Sequence, residues 1–290
     1  MTQNPSATEL KFGMNASIAD EFADAATLAT LAHDAEIAGW DGFFIMDHLI
    51  RRKPWKPMID PWIALTAIAI ATTDIVVGPM VTPLPRRRPS VLARQTVTLD
   101  QLCKGRLRLG VGLGAPDDEF TRFGESADPK RRARVLDESL ELLQLLWSGE
   151  PVTYHGEHVH AEDVHFLPRP HNGQIPIWVA GGWPSKAPFR RAARYDGVWP
   201  ISGDRSDLSI EDLADCVAAI NQYRELAGTS DKPFEICYTM GTPITPNAES
   251  IDKIGRAKEA GMTWCIESLD TTELTFDQIR ERIIAGPPHQ

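Results

Sequence analysis

The sequence predicts an α/β protein in which eight parallel strands form a closed barrel surrounded by eight helices, a (β/α)8 barrel. From residue 10 onward, short apolar segments alternate with longer amphipathic segments, which is typical of parallel strands covered by helices. Eight such strand–helix units can be recognised, whereas an open doubly wound sheet usually has about five or six strands. The length of 290 residues is also sufficient, because such a barrel needs about 250.

The eight units follow one another along the chain. The predicted strands cover residues 10–15, 42–48, 75–82, 106–112, 175–180, 197–201, 234–240 and 263–268. The predicted helices cover residues 20–38, 61–72, a segment from 89 that ends at Cys103-Lys104-Gly105, 129–147, 185–194, a segment from 209 onward, 248–260 and 275–284. A dinucleotide-binding sheet would need a Gly-x-Gly-x-x-Gly turn after the first strand, but Met14-Asn15-Ala16 stands there.

One connection is longer than the others. Residues 148–174, between the fourth helix and the fifth strand, are sufficient for a hairpin or an additional flap. This connection contains no low-complexity tract and no linker composition. We therefore expect a single domain over residues 1–290, with residues 1–8 as a loose tail.

Composition and charge exclude several classes of partner. Thirty basic and forty acidic residues give a formal net charge of −10, which disfavours binding to nucleic acid or to an anionic membrane. The polar first eight residues predict no secretory signal, and the longest apolar segment, 63–71, is too short to span a bilayer. Four cysteines without a Cys-x-x-Cys pair predict buried thiols in a cytoplasmic protein.

The best candidates for catalysis are Asp47 and His48, which end the second predicted strand. In a (β/α)8 barrel the active site lies at the carboxyl ends of the strands. A carboxylate beside an imidazole combines a hydrogen-bond acceptor with a side chain suited to acid–base catalysis near neutral pH. The alternative is a pair that only caps a neighbouring helix.

The third predicted strand contains Pro79, which removes a donor from the ladder. Central strands accept proline only at a bulge, and a bulge here would move backbone into the mouth of the barrel. Arg86, Arg87 and Arg88 then precede the N-terminus of a helix, where positive charge is disfavoured. They indicate either a bound anion or a surface loop paired with acidic neighbours.

Gly181 and Gly182 follow the fifth predicted strand and precede a helix that begins near Ser185. Paired glycines allow backbone N–H groups to approach a phosphate, and a helix N-terminus supplies a favourable partial charge. This turn is therefore the candidate phosphate-binding site.

Seven potential metal ligands crowd the long connection: His155, Glu157, His158, His160, Glu162, Asp163 and His165. Structural zinc sites use closed sets of Cys and His, and catalytic sites place their ligands on rigid elements. We therefore predict a polar hairpin and no metal site.

Several segments together resemble the bacterial luciferase-like superfamily of flavin- and deazaflavin-dependent oxidoreductases, over residues 10–284. The matching segments are 40–48, 83–114, 119–124, 177–185, 190–194 and 196–199. The second of these contains Leu99-Asp100-Gln101-Leu102 and Gly105-Arg106-Leu107. The order and spacing of the segments are specific for the family and not for a substrate.

The resemblance implies a TIM barrel with a flavin or deazaflavin ring in its mouth, acting on a small organic substrate. The enzyme would use reduced FMN with oxygen, as a monooxygenase, or the deazaflavin coenzyme F420 for hydride transfer without oxygen. A flavin reductase that supplies reduced cofactor and a homodimer are compatible partners.

The resemblance also implies roles for individual residues. The strand-three bulge at Pro79 and Met80 would press on the back of the ring through a non-prolyl cis peptide bond. His48, beside Asp47, would exchange the proton that accompanies hydride transfer. The residues implied to hold the cofactor are Pro79, Met80, Thr82 and Asp118 at the ring, and Gly181, Gly182 and Ser185 at the phosphate.

Two positions depart from the deazaflavin-dependent sugar-phosphate dehydrogenases of this family. Those enzymes have Glu where this chain has Ala115, and Trp where it has Arg52, with Trp55 three residues further on. Asp47-His48 favours the deazaflavin and Ala115 disfavours it, so the sequence supports FMN and deazaflavin about equally as the cofactor. The alternatives are a non-catalytic flavin-binding barrel, which would not need His48, and a metal-dependent barrel hydrolase, which usually needs His-x-His on the first strand.

Overall fold

Eight strand positions form a closed parallel barrel in the computed structural model, which describes residues 9–50, 54–203, 208–241, 245–269 and 274–288. The barrel strands are β1 (Lys11–Ala16), β2 (Gly42–Ile45), β3 (Val76–Pro79), β4 (Thr82–Pro83), β5 (Leu109–Gly112), β8 (Ile177–Trp183), β9 (Gly197–Ser202), β10 (Glu235–Met240) and β11 (Trp264–Leu269). A separate antiparallel hairpin consists of β6 (Pro151–His155) and β7 (His160–His165). The helices are α1 (Ala25–Ile37), α2 (Pro61–Ala71), α3 (Pro89–Leu102), α4 (Asp118–Thr121), α5 (Pro129–Trp147), α6 (Lys186–Ala192), α7 (Ile210–Ala227), α8 (Ala248–Glu259) and α9 (Phe276–Ile284).

The third barrel strand is divided into two short pieces, β3 and β4. The first piece pairs with β2 and the second with β5, so together they occupy one position in the barrel. A parallel bridge between Val77 and Leu107 closes the ring beside β3. The order around the barrel is β1, β2, β3/β4, β5, β8, β9, β10, β11 and again β1. This order confirms the predicted (β/α)8 TIM barrel.

Aromatic side chains from three strands fill the middle of the barrel. The ring centroids of Phe44, Trp178 and Trp264 lie 5.2 to 5.7 Å apart, and all three side chains are buried. A Cβ atom on Gly42 would lie 2.6 Å from the Phe44 ring and 2.8 Å from the Trp264 ring. Glycine is therefore needed beside these rings, and the packed layer separates the mouth of the barrel from its opposite end.

Two of the element boundaries that differ from the sequence-based prediction have an identifiable cause. β2 ends at Ile45, three residues early, because the chain turns there and brings Asp47 to two arginines of a neighbouring loop. α1 begins at Ala25 because the side chain of Asp24 accepts a 2.7 Å hydrogen bond from the Thr27 N–H and caps the helix. The predicted hairpin in the long connection is confirmed, whereas the predicted loose tail, residues 1–8, lies outside the described residues.

In the part of the chain that the structure describes, no helix combines the length with the apolar character that a bilayer crossing requires.

Glu235 holds together the end of the barrel opposite the mouth. One carboxylate oxygen accepts a 2.9 Å hydrogen bond from Trp264 Nε1, and the other accepts bonds from Trp178 Nε1 at 2.9 Å and Arg108 Nε at 3.0 Å. Burial by itself would raise the pKa of Glu235, but the charge of Arg108 and the indole hydrogen bonds lower it below its ordinary value of 4.5. The two tryptophans of the aromatic layer are thus oriented by one carboxylate.

We expect Glu235→Gln to lower the free energy of unfolding by about 2–3 kcal/mol at neutral pH, because the charge-assisted bonds are lost and the new amide group faces donors. A carboxyl group with a lowered pKa stabilises the fold above its unfolded pKa and loses this effect as the pH falls. The difference between variant and wild type should therefore shrink towards about pH 4.

Urea unfolding at both pH values measures this difference. Glu211→Gln, at a 77% exposed side chain paired with Arg256, is the control and should change little. A constant difference across the pH range would contradict the assignment.

Candidate active site

Asp47 is buried where the chain leaves β2 at the carboxyl end of the barrel. Both of its carboxylate oxygens accept hydrogen bonds from Arg87 Nη2, at 2.7 and 2.8 Å, and one also accepts the hydroxyl hydrogen of Thr82 at 2.9 Å. Arg86 Nη2 donates to the backbone carbonyl of Asp47 at 3.1 Å. Asp47 therefore fixes the loop after β2, and its own carboxylate faces protein rather than the mouth.

Glu119 contacts the neighbouring His48. This glutamate lies on the short helix α4, and its Oε1 atom is 2.9 Å from His48 Nδ1. Its other oxygen accepts a hydrogen bond from Arg86 Nη1. The Glu119 side chain has no exposed surface, whereas that of His48 is 31% exposed. Among the described residues, His48 Nε2 makes no hydrogen bond.

The protonation state of Glu119 determines which ring nitrogen of His48 carries the proton. Burial would raise the pKa of Glu119, but the hydrogen bond from His48 and the positive charges of His48 and Arg86 lower it below its usual range. An ionised carboxylate can only accept, so His48 Nδ1 must donate. In the neutral ring, Nε2 is then the atom with a free lone pair, available to accept a proton from a ligand.

Sequence reasoning did not identify Glu119 and Arg86 as partners of His48. The sequence offered a weak signal: three arginines before a helix N-terminus, with the choice between an anion and acidic neighbours left open. The structure favours the second interpretation for Arg86 and Arg87, which bind Asp47 and Glu119. These partners are buried, however, and do not form a solvated loop.

The break in the third strand lies where the sequence predicted a bulge. The peptide bond between Met80 and Val81 is cis, one residue after the predicted position. Thr82 is fully buried, and its hydroxyl donates a hydrogen bond to Asp47. Asp118 forms an ion pair at 3.2 Å with Arg122, the residue that follows α4, so its carboxylate is not joined to the group around His48.

Gly181 and Gly182 lie inside β8 and not in a turn after it. A Cβ atom on Gly181 would meet the Pro188 side chain at 2.3 Å, so this position allows α6 to pack closely. A Cβ atom on Gly182 would lie 3.3 Å from Gly203 Cα, at the rim of the barrel. Ser185 precedes α6, and its hydroxyl makes no capping bond.

The histidine-rich hairpin brings three of its side chains together. His155 and His160 face each other across the two strands with their Nδ1 atoms 3.2 Å apart, and Glu162 Oε2 lies 3.4 Å from His155 Nε2. His158 is instead mostly buried beside Glu157. The absence of a bound metal from this hairpin stays a prediction.

Comparison with known families identifies a match over most of the chain. Residues 7–263 match the model of the luciferase-like monooxygenase family. The F420-dependent glucose-6-phosphate dehydrogenase of Beutenbergia cavernae is 36% identical over 275 residues, which cover 91% of this chain and 75% of that protein. The enzyme of the same name from Mycolicibacterium smegmatis is 35% identical over 218 residues, covering 72% of this chain and 62% of its own.

Solved structures share the fold at low sequence identity. An F420-dependent secondary alcohol dehydrogenase in complex with an F420–acetone adduct has a TM-score of 0.79 at 19% identity, covering 95% of this chain and 97% of the other. The monooxygenase RslO1 from Streptomyces bottropensis has a TM-score of 0.74 at 21% identity, covering 94% and 96%. Likeness at this identity supports the barrel alone. The family match and the relatives above 30% identity show that the chain belongs to the luciferase-like monooxygenase family and is an oxidoreductase of that class, with a flavin or deazaflavin cofactor and a small-molecule substrate.

Proposed function

We propose that this protein is a dehydrogenase that uses the deazaflavin F420 to oxidise a hydroxyl-bearing carbon of a small molecule. The observation that carries the proposal is His48 held by the ionised, buried Glu119, since this contact leaves Nε2 free to accept a proton. The names of the relatives above 30% identity support F420 over FMN. Ala115 stands where the related dehydrogenases have Glu, but the site still has a proton acceptor, because the His48–Glu119 pair provides one.

The cofactor is proposed to lie between the broken third strand and β8. Its ring would rest on the backbone around Pro79 and Met80, while Gly182 and Ser185 would hold its phosphate. Thr82 would act through Asp47, and Gly181 through the packing of α6. Asp118 would reach the ring edge only after leaving Arg122. The Ser185 hydroxyl, which makes no capping bond to α6, and the absence of a side chain at Gly182 would suit a phosphate.

The proposed mechanism assigns one task to each side chain. The bound deazaflavin supplies a carbon that accepts a hydride from the substrate carbon. His48 Nε2 takes the hydroxyl proton at the same time, so that the alcohol becomes a carbonyl compound. Glu119 stabilises the imidazolium that forms, and Arg86 keeps Glu119 ionised.

The first prediction concerns the cofactor. F420 should bind at least about tenfold more tightly than FMN, and the enzyme should reduce F420 in the presence of an alcohol without consuming oxygen. Fluorescence titration and an anaerobic absorbance assay with 2-propanol, cyclohexanol and glucose 6-phosphate measure both. Tighter FMN binding together with oxygen consumption would establish the monooxygenase reaction in its place, with a flavin reductase as supplier.

The second prediction concerns the His48–Glu119 pair. His48→Ala should lower kcat by about 10²–10⁴-fold. Glu119→Gln should lower kcat by about 10²-fold with little change in KM, because the amide no longer fixes the proton on Nδ1. Glu125→Gln, at an exposed position beyond α4, is the control and should keep wild-type kcat. Full activity of folded Glu119→Gln would remove Glu119 from the mechanism.

The third prediction concerns the phosphate. Gly182→Ala should weaken the binding of F420 and FMN alike by about tenfold, since the added methyl group stands between the backbone N–H groups and the phosphate. Gly255→Ala is the matched control, because a Cβ atom there meets nothing within 4 Å. Unchanged cofactor affinity in a Gly182→Ala variant with a normal melting curve would place the phosphate elsewhere.

Assembly and compartment complete the proposal. Ile63 and Ile70 lie two turns apart on α2 with 67% and 70% of their surface exposed, which supports a homodimer through this helix. The four cysteines are buried free thiols, in keeping with a reducing cytoplasm.

A further inference from the structure

The side chain of Asn15 points into the barrel at the level of the mouth. Two residues earlier, a Cβ atom on Gly13 would lie 2.9 Å from Phe44 and 3.0 Å from Ile266, both of which belong to the inner layer. Successive residues of a strand alternate between its two faces, so Asn15 projects to the same side as Gly13, one step nearer the carboxyl end. Its neighbours Met14 and Ala16 belong to the outer core.

The Oδ1 atom of Asn15 is buried and has no partner among the residues that the structure describes. The residue is 3% exposed, and its Oδ1 atom has no hydrogen-bond partner in the described part of the chain. A buried amide that makes no hydrogen bond is costly, and a leucine of similar shape would avoid this cost. Groups of this kind need a specific explanation, and a ligand that supplies the missing partner is one.

A polar residue one step deeper in the barrel, at the level of Gly13, is satisfied. Thr239 lies in register with Ile266, and its hydroxyl accepts a 2.8 Å hydrogen bond from Trp199 Nε1. The position opposite Asn15 on β11 is Ser268, which is exposed. Asn15 therefore lies beside an exposed position and carries an oxygen that the described residues leave unpaired.

The position of Asn15 separates it from the proposed cofactor groups. The broken third strand and β8 lie on either side of β5, whereas β1 and β11 form the opposite wall of the barrel. A ligand group that reaches Asn15 across the mouth would thus belong to the substrate. The substrate's reacting hydroxyl donates its only proton to His48, so it has none left for Asn15.

We propose that Asn15 is a substrate-binding residue that accepts a hydrogen bond from a second donor group, a hydroxyl next to the reacting one. The inference rests on the proposed function and extends it to the substrate class: a diol or polyol, and not a simple alcohol. Sites that hydrogen-bond a substrate hydroxyl reject analogues that lack it, because the buried group is then unpaired again.

The test compares cyclohexanol with cis-1,2-cyclohexanediol, which differ by one hydroxyl group. Wild type should prefer the diol in kcat/KM by about tenfold or more. Asn15→Leu should lose this preference, mainly through KM on the diol, and Asn15→Ala should do the same if leucine disturbs the packing. The Kd for F420 should not change. An unchanged preference, or a Kd for F420 raised about tenfold, would overturn the proposal.

Thermal melting of the ligand-free protein provides a test that needs no substrate. Asn15→Leu should melt at or above the wild-type temperature, because it removes an unpaired buried group. Thr239→Val is the matched control and should melt lower, since Trp199 Nε1 loses its acceptor. If Asn15→Leu melts as low as Thr239→Val, Asn15 has a structural partner and the proposal is wrong. Wild type that fails to bind F420 would contradict the proposed function, and the melting comparison would still decide the role of Asn15.

Discussion

The buried ion pairs that join Asp47 and Glu119 to Arg86 constrain the whole mouth of the barrel. Both carboxylates have no exposed side-chain surface, and the side chain of Arg86 is 3% exposed. Isolated charges cannot stay ionised at such depth, so Glu119 depends on Arg86, and Asp47 depends on Arg86 together with Arg87. Removing one partner of such a pair typically costs about 3–5 kcal/mol. Arg86 therefore ties the loop after β2 to the helix that follows β5.

This constraint connects structure with chemistry. His48 follows Asp47 directly, so the contact that fixes the loop also determines where the imidazole lies. Glu119 accepts a hydrogen bond from His48 on one side and from the positively charged Arg86 on the other, which keeps it ionised and makes it an acceptor. The aromatic layer beneath the mouth closes the floor, and Asn15 lies just above that layer. An acid–base residue, a packed floor and an unpaired amide thus come together at one end of the barrel.

Much of the fold could be predicted from the sequence because it depends on local patterns. Apolar strands alternate with amphipathic helices, and α5 has the bounds that its apolar spacing predicted. Asp47 and His48 could be proposed because a strand end in this architecture is a known position for chemistry. The structure differs from the prediction where contacts between distant residues determine an element's boundary. β2 ends early because the residues at its end bind arginines about 40 residues away.

The partners of His48 could not be found from the sequence for the same reason. Glu119 lies 71 residues from His48 and directly after Asp118, and nothing in the local pattern separates the two acids. Only the packing of α4 buries Glu119 and leaves Asp118 at the surface with Arg122. Asn15 could be noted because it ends the first predicted strand, where this architecture places chemistry, whereas its unpaired oxygen follows from the closed barrel.

The central claim is that Glu119 holds the proton of His48 on Nδ1 and leaves Nε2 free for the substrate. Long-range ¹H–¹⁵N NMR of protein labelled at histidine reports which ring nitrogen carries the proton, and the His48→Ala variant assigns the signal. In the neutral ring, wild type should show a protonated Nδ1 and an unprotonated Nε2, and Glu119→Gln should lose this preference. A proton on Nε2 in the wild-type protein would contradict the account.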